Sequence, residues 1–513
     1  MSVRILSAAI SGIEAQLIEV ETDSTPGLHA FTIVGLADKA VEESKDRIGS
    51  AIRNSDLLPP SSKNKRIIIN LAPADLRKEG PSYDLPIAVG YLYETGQLAF
   101  NSSNCLITGE LSLDGSLKSI NGVLAMTLLA KNLGLKEIVV PFSNIQEASV
   151  IRDIDVIGAR NIMEVVGHLN RTAVIEPTPV AARNKNADDN LKNTFSSIKG
   201  QEFAKRALMI AAAGSHNILM YGPPGSGKTI LAKAVTDLLP EMSFDEAIEV
   251  AKIYSSIGLI KNSPLSFLRP FRNPHHTTSS VAVVGGGTWP RPGEISLAHR
   301  GVLFMDELPE FRRDVLESLR QPLEDGRVTI SRASGSLVLP AKFMLIAAMN
   351  PCQCGNYGND KAPCICSPFH VLRYRKKISG PLLDRIDVQI NVPRETIDTE
   401  PGKTKSAQNT ADLREVVENA RKIQLTRFNG SGIYTNSEID FKNIDKFCVL
   451  EQEAEELLKN AVNNKGFSLR AYHKIKKLAR TIADLESSEL IKPNHIAEAI
   501  SLRINEQMFN DLA

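Results

Sequence analysis

The chain has 513 residues, and its 60 lysines and arginines against 59 aspartates and glutamates give a formal charge of +1. Hydrophobic residues make up 42% and charged residues 23%, an ordinary globular balance, and a chain of this length holds about two to four domains. Such numbers exclude a disordered chain and one that grips nucleic acid through global positive charge, leaving only local patches for that purpose. No apolar run approaches a membrane span, and residues 5–18, with Glu14 among them, read as a strand pair rather than a signal peptide. A cytoplasmic protein without membrane contact is the expectation.

Strand-like runs at 30–34, 66–71 and 137–140 alternate with helical patterns at 38–53, 84–95 and 123–133. This mixed region is read as a first domain, residues 1–175. Pro177, Pro179 and a polar run at 183–190 then mark a linker over 176–195.

The most specific local signal follows. Gly222, Pro223, Pro224, Gly225, Ser226, Gly227, Lys228 and Thr229 fit the phosphate-loop pattern, with an apolar strand at 218–221 before it and a helical pattern after it. The glycines let backbone amides turn inward on phosphates, Lys228 is placed to reach the β- and γ-phosphates, and Thr229 to ligate Mg²⁺. ATP and Mg²⁺ are therefore the expected cofactors. Further strands at 302–305, 343–348 and 388–392 complete an α/β nucleotide-binding core over 196–397.

Within that core the strand at 302–305 ends in Asp306 and Glu307. In a phosphate-loop enzyme Asp306 helps hold Mg²⁺ and Glu307 polarises the attacking water. Asn350, ending the next strand, can orient that water. Arg385, in the run 380–387, is a candidate arginine finger, with a surface pairing to Asp384 or Asp387 as the bland alternative. Arg470 opens a helix from which it would reach back to the nucleotide.

Two segments could handle a substrate. Arg269, Arg272 and Arg291, near Trp289, could contact phosphates and stack on bases, although a structural role for this loop is equally open. His275 and His276 lack a matching acid for a metal. Residues 324–342 read as a β-hairpin turning at Ser334-Gly335, with Arg332 near its tip.

Cys352, Cys354, Cys364 and Cys366 crowd into residues 352–366. Four thiolates complete a closed tetrahedral Zn²⁺ shell, although each pair is separated by one residue rather than the usual two. The cluster begins two residues after Asn350, so nucleotide state is expected to move it. Beyond a soft joint at 398–409 the pattern is helical, and 398–513 reads as a helical lid. Arg470, Lys474 and Lys477 fall on one face there, with Lys476 and Arg480 nearby, a basic face to be solvated or DNA-bound.

The ATPase residues, in this order, resemble the AAA+ superfamily, in the branch that holds the magnesium-chelatase motor and the replicative helicases. That resemblance implies that Arg385 acts on the ATP of a neighbouring subunit, hence a ring, most simply a hexamer. Residues 78–88 and 107–115 resemble the proteolytic domain of Lon, an α+β domain of the ribosomal protein S5 domain 2-like type. Ser82 matches its nucleophile, but Met126 stands where the activating lysine belongs, so proteolysis is not expected. The whole chain resembles the magnesium-chelatase-like ComM (YifB) family, on residues 34–37, the 80–84 turn, the ATPase core, the cysteine cluster and the 379–385 run. Gln353 departs from the proline usual there. The resemblance implies an inactive Lon-like domain, an AAA+ core and a helical C-terminal domain. It also implies a DNA translocase acting in branch migration during natural transformation, and the alternative is a chelatase-type or protein-remodelling ATPase.

Overall fold

The computed structural model describes residues 3–35, 38–62, 64–78, 80–180, 194–260, 265–287, 291–332, 335–358, 362–394, 409–465 and 468–503. Leu36, Ala37, Trp289, Ser334, the polar run 183–190 and residues 398–408 of the expected joint lie outside them. Two compact units divide the chain: Met1–Asn184 with Phe244–Ser266, and Lys185–Ser243 with Phe267–Ala513. The excursion through 244–266 falls inside the stretch read from sequence as ATPase core.

In the first unit, β1 (Val3–Ser11), β2 (Glu14–Pro26), β3 (Ala30–Val34), β4 (Lys65–Ala72), β5 (Cys105–Ile107), β6 (Glu137–Pro141) and β7 (Asp155–Ala159) form one sheet. Its order is β3-β4-β2-β1-β5-β6-β7. The β1–β2 and β2–β4 pairs are antiparallel and the others parallel. Pairing of Ser11 with Glu14 leaves a two-residue turn, which Gly12 permits with a φ of 69°. Along β2, Ile18, Val20 and Thr22 are buried while Glu19 and Glu21 face outward, the period of two that fixes register.

The segments 78–88 and 107–115 meet in this unit. Arg47 grips the buried Asp84 with two parallel bonds of 2.8 and 3.0 Å. The Gly80 amide donates to Asp38, the N-cap of the helix Lys39–Asn54, at 3.2 Å. The Ser82 carbonyl accepts from the Gly109 amide at 2.9 Å. Met126 is buried in an apolar cluster with Ala8, Leu106 and Val123. Sequence reading overlooked Lys78, a buried lysine whose ammonium donates to the Pro73 carbonyl. The helix Phe244–Ser256 closes this unit, packing Ala251 against Leu124, Val150 and Ile151. Its Ser255 hydroxyl bonds Glu147, and its Ser255 carbonyl accepts from the Gly122 amide at 3.1 Å.

The second unit is built on β8 (Ile218–Tyr221), β9 (Phe271–Arg272), β10 (Val302–Met305), β11 (Met344–Met349) and β12 (Val388–Asn391), in the order β9-β10-β11-β8-β12. All pairs are parallel, and β8, β10 and β11 are buried throughout, as unbroken apolar strands must be when both faces are covered. Tyr221 stands opposite Met349, and Met305 opposite Ala347. The phosphate loop, the acid pair and Asn350 therefore leave the sheet at one edge, beyond the carboxyl ends of adjacent strands. The helices Thr410–Arg427, Gln452–Lys465, Leu469–Leu485 and Pro493–Ser501 follow. Val417, Leu458, Leu478, Ile482 and Ile496 share one core with Ile218 and Phe304 of the sheet.

A hairpin pairs Arg327–Arg332 with Gly335–Pro340, with Arg332 opposite Gly335. On the basic face of Leu469–Leu485, Arg470 is exposed, but the other basic side chains are held within the chain. Lys474 pairs with Asp387 at 2.7 Å, Lys476 with Asp445 at 2.6 Å, and Lys477 donates to the Ser437 carbonyl at 3.1 Å. Arg480 is buried against Asp484 and the carbonyls of Ser488 and Glu489. Periodicity missed this because the helix is packed on nearly every side, and the acids Asp387 and Asp445 are remote in sequence.

Candidate nucleotide site and thiol cluster

Gly225 and Gly227 hold positive φ values of 76° and 89°, which side chains resist and a phosphate loop requires. Gly222 is needed for space, since a Cβ there would lie 2.1 Å from the Val392 carbonyl oxygen. The loop is tied to the sheet by the Gly222 amide, which donates to the Met349 carbonyl at 3.2 Å.

Lys228 donates to the carbonyls of Gly222 and Pro223, each at 2.8 Å, and approaches the Ser226 hydroxyl at 3.4 Å. It also reaches the Asn350 side-chain oxygen at 3.3 Å. Burial pulls the Lys228 ammonium below its ordinary range, and the charges of Asp306 and Glu307 oppose that pull. Thr229 donates its hydroxyl to Asp306 at 2.7 Å. A hydroxyl and a carboxylate at this separation are hard oxygen donors of the kind Mg²⁺ takes. Lys228, Thr229, Asp306 and Asn350 thus converge, although they arise from three strand ends.

Glu307 adjoins this group with a φ of 51°, a backbone setting uncommon for glutamate, and its amide donates to Asp306 at 2.9 Å. Its carboxylate faces His276 at 3.4 Å, and the His276 ring lies 4.2 Å from that of His275. His276 thus has Glu307 as an acidic neighbour that the local sequence does not show. Only the fold brings the two together.

Arg385 and Arg470 lie elsewhere. Arg385 donates to the Pro381 carbonyl at 2.7 Å and pairs with Glu324, not with Asp384 or Asp387. Arg470 approaches the other oxygen of Glu324 at 4.0 Å. Two of the three loop arginines suggested for phosphate contact are held within the chain. Arg269 bonds the carbonyls of Pro240 and Arg300 at 2.8 Å each, and Arg272 grips Glu294 at 2.6 and 2.7 Å. These two are structural, whereas Arg291 is exposed.

The four cysteines gather after β11. Cys352–Cys354, Cys352–Cys364 and Cys354–Cys364 sulfur distances are 3.3, 3.7 and 3.6 Å, and all four sulfurs lie within 4.8 Å of one another. Zinc–sulfur bonds of about 2.3 Å in a tetrahedron set sulfurs about 3.8 Å apart, so the cluster fits that ion. Amides of Asn356 and Ile365 draw the Cys354 thiol down to about 6. Cys364 receives an amide from Cys366, yet burial and its thiol neighbours push it up to about 12. Crowded thiols cannot all ionise without a cation among them. The cluster abuts the nucleotide loop: Arg375 donates to the Pro351 carbonyl and the Tyr221 hydroxyl, both at 3.2 Å, and stacks over Tyr357.

A parallel sheet in this order, with a phosphate loop, an acid pair and an amide at adjacent strand ends and helices after it, defines the AAA+ class. The families described as magnesium chelatase, subunit ChlI, match residues 20–144, 194–400 and, as its C-terminal part, 407–503. The chain is 42% identical over 517 residues to Competence protein ComM of Haemophilus influenzae, covering 99% of both chains. It is 40% identical over 503 residues to YifB of Escherichia coli, covering 98% of this chain and 96% of that one. It is 22% identical to the magnesium-chelatase 38 kDa subunit of Rhodobacter capsulatus over 62% of this chain and 88% of the relative. The chain belongs to the ComM/YifB family of magnesium-chelatase-like AAA+ proteins. Among the described residues no helix is long and apolar enough to cross a membrane.

Proposed function

We propose that this chain is an ATP-driven DNA motor that works as a ring, most simply a hexamer. It would move branched junctions of recombination intermediates, as in natural transformation. The observation that carries this reading is the convergence of Lys228, Thr229, Asp306 and Asn350 in a chain alike over its full length to a competence protein.

In this reading the amides of 222–227 and Lys228 hold the phosphates of ATP, and Thr229 with Asp306 holds Mg²⁺. Glu307 polarises water and Asn350 orients it. Arg385 neutralises charge on the nucleotide of the adjacent subunit, and Arg470 does so within its own. The first unit serves as an inactive Lon-like domain ahead of the motor, and the four cysteines hold zinc.

The chelatase-type or protein-remodelling reading draws on the magnesium-chelatase family descriptions. Its weaker footing is that the chelatase relative matches only 62% of this chain. ATP hydrolysis measured with four-way or forked DNA, with duplex and without DNA separates the two. Stimulation by junctions, and their retention by a Glu307→Gln variant, supports the motor. If junction DNA neither stimulates hydrolysis nor binds that variant, the motor reading fails.

A further inference from the structure

Glu324 lies in the last turn of the helix Arg320–Asp325, just before the hairpin strand Arg327–Arg332. Its two carboxylate oxygens are divided between two arginines far apart in sequence. One pairs with Arg385, and the other lies 4.0 Å from Arg470. No pattern in the sequence singles out Glu324, yet both its partners are arginines assigned to nucleotide phosphates.

We propose that Glu324 is a positioning residue, a latch that holds Arg385 and Arg470 together within one subunit until triphosphate and a neighbouring subunit draw them away. This rests on the ring-ATPase reading of the site. The supporting contrast lies in two ion pairs that join the same segments. Asp387, two residues beyond Arg385, meets Lys474, one helical turn beyond Arg470, at 2.7 Å, with side chains only 11% and 17% exposed. Breaking such a buried pair strands a charge, so it is a permanent clip. Glu324 is 53% exposed and Arg470 60%, whereas Arg385 is 17% exposed and also donates to the Pro381 carbonyl, so the exposed members of the outer group are Glu324 and Arg470. Ion pairs in that setting contribute little and exchange readily with another anion. The inner pair fixes the lid helix to the core, and the outer contact between Glu324 and Arg470 is the one free to change partners.

The chemistry also has a sign. A carboxylate between two guanidiniums offsets their mutual repulsion and competes with any phosphate for both. Neutralising it while keeping its shape, as in Glu324→Gln, removes that competition.

The test is ATP hydrolysis by the full-length protein as a function of ATP and of protein concentration, alongside fluorescent-nucleotide affinity and thermal melting. Glu324→Gln is expected to lower both the KM for ATP and the protein concentration for half-maximal rate by roughly two- to five-fold, with kcat changed less than about two-fold. In an Arg470→Ala background the affinity gain should vanish, because the arginine it acts through is gone. Unchanged or raised KM and midpoint concentration overturn the latch, as does a collapse of kcat, which would place Glu324 in the chemistry. A loss of melting temperature without any KM shift marks a merely structural contact and also overturns it. Wild-type protein that hydrolyses no ATP, or a Lys228→Ala variant as active as wild type, refutes the ATPase reading instead, so the two failures are distinguishable.

Discussion

Gly355, inside the cysteine cluster, touches Pro224 of the phosphate loop: a Cβ on Gly355 would come within 2.7 Å of the proline ring. The glycine also holds a φ of 84°. Gly355→Ala therefore meets both backbone strain and a clash, together roughly 1–3 kcal/mol. The expected result is a lower melting temperature with weaker ATP affinity, since the ring that must yield belongs to the nucleotide loop. Melting and nucleotide titration on the same sample check it. Full stability with unaltered affinity would show that the contact is incidental.

Metal content tests the cluster directly. Protein purified without chelator should hold about one zinc per chain, and Cys352→Ser, at the fully buried thiol of the cluster, should lose it. Stripping the metal should lower thermal stability and weaken ATP binding through Pro224. Atomic absorption that finds no zinc removes the metal assignment.

Glu307 and Asp306 are adjacent, yet they should fail differently. Glu307→Gln should retain ATP binding and slow hydrolysis by roughly 10²- to 10⁴-fold, the span typical of a lost general base. Asp306→Asn should instead raise the Mg²⁺ concentration needed for tight ATP binding, because it alters the partner of Thr229. Nucleotide titrations at several Mg²⁺ concentrations separate the two, and an identical Mg²⁺ dependence would contradict the assignment.

Asp387 gives a pH signature. Burial raises its pKa, but Lys474 and His216 outweigh burial and hold the carboxyl well below the ordinary value of 3.8. Burial likewise draws Lys474 down while Asp387 opposes it. At 2.7 Å the ionised pair is the favoured state. A depressed folded-state pKa means the contribution is complete above the unfolded value and is lost as pH falls below it. Stability should therefore decline below about pH 4, and Asp387→Asn should cost roughly 3 kcal/mol near neutrality and flatten that acid limb. Denaturant melts between pH 3 and pH 7 measure both. A variant with an unchanged acid limb would assign the loss to other carboxylates.

The sequence was most legible where function demands a fixed local backbone. Gly225, Gly227 and the strand–loop–helix context of Lys228 could be read directly, because the loop's geometry is encoded within it. Apolar strands such as Val302–Met305 were visible for the same reason. What remained hidden was pairing across distance. His276 with Glu307, Glu324 with two arginines, and Lys474 with Asp387 each join residues that no periodicity relates. Charge patterns misled for that reason: Arg272 and Lys474 looked available for phosphates until their partners Glu294 and Asp387 were in place.

The helix Phe244–Ser256 has a consequence for how this protein can be cut and recombined. The first unit borrows Ala251 and Ser255 from a stretch that the chain reaches only after laying down the phosphate loop. The units are interleaved in the gene rather than arranged as successive cassettes. A fragment ending near residue 180 would expose Leu124, Val150 and Ile151 and strip Glu147 of its hydroxyl partner. Grafting this N-terminal unit onto another motor would require two splice junctions more than its contiguous appearance suggests, and during synthesis it cannot finish its core until the nucleotide loop has already emerged.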